Sequence, residues 1–203
     1  MKLRPLILCA ALIMLVPVLS SCALFGAAVD DLNSYLSGRS ATITTYNQAG
    51  AQIDVIKGKS IDIRRDETFD STNSDGSSNS DSSVLKISVG DGIIRHVGST
   101  LVLAEDGLVK VSDAATTLDL ENTEPGRPWL NYLYEQNRNV WEGKAKTIMI
   151  RSQDGTPVSV YAGNKVEVFN PDIPKTTWFR IDGKTLLVYR ADYSVIDTAL
   201  LTD

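Results

Sequence analysis

Histidine, cysteine, excess positive charge and long apolar runs are what this 203-residue chain has little of. A single histidine, His96, cannot build a multi-histidine zinc site. It also has no serine, cysteine or carboxylate partner in the spacing of a nucleophilic triad. Beside Arg95 at the end of a predicted strand, it reads as a surface or edge-strand residue. Lys and Arg number 20 against 25 Asp and Glu, for a net charge of -5. No basic stripe carries interleaved aromatics, which points away from nucleic acid. One apolar run stands out, Leu6 to Val16 behind Lys2 and Arg4. It is too short to span a hydrocarbon core of about 30 Å and reads as the centre of a secretory signal.

The residues just after that run decide where the protein is expected to reside. Leu19-Ser20-Ser21-Cys22 resembles a bacterial lipobox, so residues 1–21 read as a signal peptide and Cys22 as a lipidated first residue. Roughly 0.8 kcal/mol per buried CH₂ makes two or more acyl chains, palmitate among them, a stable anchor. The expected location is the extracytoplasmic face of the cell membrane. Cys9 falls in the discarded segment, so the exported body would have no disulfide within one chain. Residues 22–40 read as a tether in which Leu32 and Leu36 could line a marginal helix.

From Ala41 the apolar period becomes two. Ile53 and Val55 alternate with Gln52 and Asp54, and Ile61 and Ile63 with Ser60 and Asp62. The pattern returns 105 residues later. Gln48, Gly50, Ile53, Val55, Gly58, Ile61 and Ile63 match Gln153, Gly155, Val158, Val160, Gly163, Val166 and Val168, with the glycines placed to supply positive φ at turns. A weaker match pairs Val84–Ile87 and Gly92–Ile94 with Trp178–Ile181 and Gly183–Tyr189. These matches predict a mainly β domain over 41–203 with about twelve strands: a first half at 41–113, a helical connector at 114–145 and a second half at 146–203. A barrel, closed or nearly so, and a two-sheet antiparallel sandwich both fit.

The connector carries the one strong helical stripe, Pro128 to Gly143, expected to pack on or in the sheets. Residues 66–83 are rich in Asp, Ser and Asn and read as a mobile excursion between strands. Their acids miss the donor spacing of a calcium loop, so no metal is expected.

No catalytic constellation, cofactor motif or metal set emerges. Arg127, Trp129, Tyr134 and Trp141 form the most concentrated mix of aromatic and charged groups and are the candidate binding surface, although helix packing explains the same residues. The lipobox, Tyr46–Gly50, Asn73–Gly76, Ser152–Pro157 and Pro174–Thr177 followed by Ile181–Lys184 together resemble a family of uncharacterised lipoproteins from Gram-positive bacteria. The resemblance covers nearly the whole mature chain and implies a shared fold without a known activity. The reading is therefore a membrane-anchored, non-enzymatic lipoprotein that binds an envelope protein, peptide or glycan. A lipid- or small-ligand-binding barrel is the alternative. An envelope hydrolase would need clustered acids with shifted pKa values.

Overall fold

A computed structural model describes residues 23–76, 78–111, 129–136 and 138–201. Helix α1 (Ala23–Leu36) leads into β1 (Ser40–Tyr46), β2 (Gln52–Lys59) and β3 (Ile61–Arg65). A small hairpin, β4 (Ser71–Thr72) and β5 (Ser78–Ser80), precedes β6 (Leu85–Val89), β7 (Gly92–His96), β8 (Thr100–Glu105) and β9 (Val109–Lys110). Helices α2 (Trp129–Gln136) and α3 (Arg138–Trp141) come next. The chain continues with β10 (Lys146–Arg151), β11 (Pro157–Gly163), β12 (Val166–Phe169), β13 (Thr176–Ile181), β14 (Lys184–Tyr189) and β15 (Asp192–Asp197).

Alternating burial sorts these strands into layers. The central sheet has the order β12-β13-β14-β8-β1-β2. Its middle strands β8 and β14 are buried almost end to end because both of their faces are covered. On one side Ile43, Leu101, Leu103, Leu187 and Tyr189 meet Ile61, Ile63, Leu85 and Ile87 of the three-stranded sheet β3-β6-β7. On the other, Val102, Phe179, Leu186 and Val188 meet Ile148, Ile150 and Tyr161 of the sheet β15-β10-β11-β9. The far face of that last sheet presents Met149, Val160 and Ala162 to Leu130, Leu133 and Trp141 of α2 and α3.

The internal repeat is present in six strands of each half, β4, β5 and β9 having no counterpart. β1-β2-β3 corresponds to β10-β11-β12, and both hairpins close with the same turn. Gly50 N–H donates to the Asn47 carbonyl at 3.1 Å, as Gly155 N–H does to that of Ser152 at 3.0 Å. In the pairing ladders Ala41 faces Glu105 where Lys146 faces Asp197, so β8 corresponds to β15. Ile61 faces Val89 where Val166 faces Ile181, so β6 and β7 correspond to β13 and β14. This register equates Val89, rather than Ile87, with Ile181. The sequence match is offset from it by two residues, which the period of two conceals because the same face stays apolar.

The halves join in the middle of the central sheet, where β8 of the first pairs antiparallel with β14 of the second. Glu105, 5% exposed, stitches this seam. Its Oε1 accepts from Arg39 Nη1 at 2.8 Å and its Oε2 from the Thr185 amide at 2.8 Å.

Several expectations are corrected. The expected mainly β, antiparallel fold is met, with fifteen strands among the described residues against the expected twelve or so, and none of the sheets these residues form closes into a barrel. The described residues of the expected connector helix carry α2 and α3. Of the matched glycines, Gly50 and Gly155 have positive φ, 75° and 89°. Gly58 and Gly163 do not and serve a close approach instead. The segment read as a tether carries α1, with Leu32 and Leu36 fully buried in the core and the Asn33 side chain bonded to both backbone groups of Ile63.

The acidic stretch read as a mobile excursion is instead tied down by arginine. Arg65 pairs with Asp70 at 3.3 Å and with Asp81, while Asp66, 3% exposed, accepts from Arg95 Nε at 2.7 Å and from the Thr68 amide at 3.2 Å. Composition hid this because the arginines lie outside the stretch, Arg65 at the end of β3 and Arg95 on β7. The Arg95 hydrogen bond, aided by that of Thr68, holds the Asp66 carboxyl below the usual carboxylate range. Its contribution to stability is therefore present above the ordinary Asp pKa and lost as pH falls through the lower folded value. Urea unfolding of wild type and Asp66→Asn between pH 7 and pH 2 is expected to show a stability gap that narrows as the pH falls below the ordinary Asp range. A gap independent of pH would contradict the linkage.

Candidate ligand-binding groove

A groove of about 740 Å³ opens where three connections meet: the β12–β13 loop, the β14–β15 turn and the β10–β11 turn. Asn170, Asp172 and Lys175 come from the first, Arg190 and Ala191 from the second, Gln153 from the third. Backbone geometry is unusual here. Asp172, Lys175 and Arg190 have φ of 56°, 61° and 48°, a left-handed conformation that non-glycine residues rarely adopt. Local bonds hold it in place. The Asp172 amide donates to Asn170 Oδ1 at 3.0 Å, and the Arg190 amide to the Lys175 carbonyl at 2.9 Å. The Arg190 carbonyl accepts from Thr100 Oγ1 at 2.7 Å.

The side chains that meet at the groove are chemically mixed. Arg190 Nε donates to Gln153 Oε1 at 3.3 Å, and Gln153 Nε2 donates to the Gly98 carbonyl at 3.1 Å. Lys175 and Arg190 supply positive charge, Asp172 and Asp192 negative. Val168 and Tyr193 line the groove while 49% and 40% exposed, and Tyr193 stands edge-on to buried Phe179 with centroids 4.9 Å apart. Phe169 stacks on Trp178 at 4.5 Å, with the Arg180 guanidinium 5.0 Å from its ring centre. Arg180 also donates to Glu167 at 2.8 Å, and this hydrogen bond lowers the Glu167 pKa. That arrangement stiffens the groove's β12 wall.

A second groove of about 520 Å³ lies next to the first, sharing Asp81, Asp172 and Ile173 and lined otherwise mainly by charged residues, Asp30 of α1, Arg64 and Arg65 of β3, Asp66 and Glu67 after it, and Lys86 of β6. Asp70 and Asp81, two acids of the 66–83 stretch, are turned onto Arg65. Among the described residues no group of three or more His, Cys, Asp or Glu is placed to hold a metal ion. His96 lies on edge strand β7, with Nε2 2.9 Å from the Ser99 carbonyl and its ring edge-on to Tyr189.

Cys22 and Arg127 lie outside the described residues. Trp129 begins α2. Trp141 is 2% exposed and its Nε1–H donates to Thr147 Oγ1 at 2.8 Å. Tyr134 is half-buried with its ring 5.4 Å from that of Trp141, and the two border a shallow depression of about 540 Å³ beside Gly143 and Lys144. The larger groove was not anticipated from sequence. Its signal was there in Tyr189-Arg190-Ala191-Asp192-Tyr193, a mix of aromatic and charged residues as dense as the one at the helix, but alternation makes such a stretch read as an ordinary strand pair.

These features define a layered antiparallel β protein with an open, mixed-polarity groove at the loop end of its sheets. The chain belongs to the family described as Domain of unknown function (DUF5052), whose model it matches over residues 4–201. Comparison with curated proteins and with solved structures gives no match.

Proposed function

We propose that this protein is held on the extracytoplasmic face of the cell membrane through lipid on Cys22 and binds a component of the envelope there without transforming it. The groove at Lys175, Arg190 and Tyr193 carries the binding half of this reading. It combines exposed apolar surface with hydrogen-bonding groups fixed by a strained backbone, a combination that suits recognition of an amphipathic partner. The acids with lowered pKa, Asp66, Asp154 and Glu167, are each held by a structural hydrogen bond, from Arg95, Ser152 and Arg180 respectively. None is raised toward neutral pH in the manner of a general acid.

Anchoring would set the body close to the bilayer. α1 starts at Ala23 and is docked by Leu32 and Leu36. With a rise of 1.5 Å per residue, the lipidated residue would sit within about 20 Å of the core.

A photoreactive residue at position 193 of the full-length protein in intact cells tests the binding reading, with position 142 as control. One envelope component captured from 193 and absent from 142 is the expected result. The same products from both positions would refute it.

A further inference from the structure

The two halves of the fold are equivalent except at their edges, and the difference defines a second kind of binding surface. In the first half β8 is paired on both sides, with β1 and with β14. Among the described residues its counterpart β15 pairs with β10 alone and ends its sheet, and no strand lies at the position beside β15 that corresponds to that of β14 beside β8. Opposite β8, Leu187 faces Leu103 and Tyr189 faces Leu101. The residues of β15 at those places are Val195 and Tyr193, 39% and 40% exposed. Tyr193 also lines the groove together with exposed Val168 of β12, the edge strand of the central sheet. An unpaired main chain and the apolar wall beside it thus coincide.

We infer that β15 takes up an extended polypeptide segment of a partner, added antiparallel as a fifth strand of its sheet, with apolar side chains at alternate positions set against Val195, Tyr193 and Val168. The inference rests on the binding reading above and names its partner class. The paired seam β8·β14 is the precedent within the same molecule: one repeat edge, satisfied by backbone bonds and interleaved apolar residues.

A folded second copy is the less suitable occupant. The counterpart of β14 is β7, itself an unpaired edge with Ile93 56% exposed. But if β7 of another copy docked as β14 does, its own β1-β2-β8 layer would fall on the face of the sheet that α2 and α3 already cover at Met149, Val160 and Ala162. A lone strand meets no such obstacle.

The probe is a labelled peptide of the chain's own residues 183–190, containing the strand that fills the equivalent site, added to the full-length protein in detergent micelles. Saturable binding is expected by anisotropy, with slowed amide exchange at alternate residues of β15. N-methylation of one alternating set of peptide amides should abolish uptake and that of the other set should leave it unchanged, since only every second amide faces the edge. Tyr193→Ala and Val168→Ala should each weaken binding about tenfold while urea midpoints stay close to wild type. Absence of saturable binding, equal effects of the two methylated sets, or light scattering showing dimers that Ile93→Lys disperses would each overturn the inference. Capture of an envelope component at position 193 without peptide uptake would sink strand addition and leave the broader binding reading intact.

Discussion

Replacing Gly163 by valine is expected to prevent folding, and by alanine to lower stability by about 1–3 kcal/mol, the range for forcing extra carbon into a packed interior. A Cβ on Gly163 would lie 2.4 Å from Ile181 Cγ2 and 3.1 Å from Asp182 Oδ2. The first distance is far inside van der Waals contact, and Ile181 is 1% exposed, with nowhere to retreat. The repeat supplies an internal control. At Gly58 the added carbon would meet Val89 Cγ1 at 2.0 Å, and Val89 is the counterpart of Ile181. Each glycine lets the strand that crosses to the neighbouring sheet pass close beneath a β-branched side chain. Urea unfolding of Gly163→Ala alone and combined with Ile181→Val or Ile181→Ala separates clash from other causes, because trimming the opposing methyl should recover part of the loss. Strictly additive losses in the double variants, or an unchanged midpoint for Gly163→Val, would show that the contact is not what the glycine serves. Gly58→Ala combined with Gly163→Ala should lose about 2–6 kcal/mol, a large share of the roughly 5–15 kcal/mol net that stabilises a typical domain, and lower the urea midpoint about twice as far as either change alone.

The second large effect concerns placement. On the anchoring proposed above, Cys22→Ala should abolish incorporation of labelled palmitate and lower the share of the protein in the membrane fraction. Two or more acyl chains hold stably where one holds weakly, so loss of the thioether should act as a switch rather than a graded change. The folded body should survive the substitution, since Leu32 and Leu36 dock α1 from within the domain. Far-UV dichroism and urea midpoints of the released variant should match those of wild type. Palmitate labelling that persists in Cys22→Ala would refute anchoring at this residue.

The two results bear on different levels of the chain. Gly58 and Gly163 were recognisable as a repeated pair, but sequence assigned them to turns, because glycine between two alternating runs ordinarily supplies positive φ. The structure gives that task to Gly50 and Gly155, at 75° and 89°. Nothing local could have told the two pairs apart: the atoms that demand Gly58 and Gly163 lie on strands after the next loop. Residues 66–83 failed in the same way. They contain almost nothing apolar, and what orders them is Arg65 and Arg95 reaching in from β3 and from beyond β7's midpoint.

The mainly β character, the hairpin turns and the repeat were legible in the sequence alone. Those depend on which faces alternate and which positions tolerate a side chain, and such information is local. Tertiary structure alone sets β8 against β14 in a sheet buried on both sides, leaves β7 and β15 as edges among the described residues, and gathers Gln153, Lys175, Arg190 and Tyr193 around one groove. Pairing between strands far apart in the chain depends on which apolar faces can be covered together, and an alternating pattern is equally satisfied by many partners.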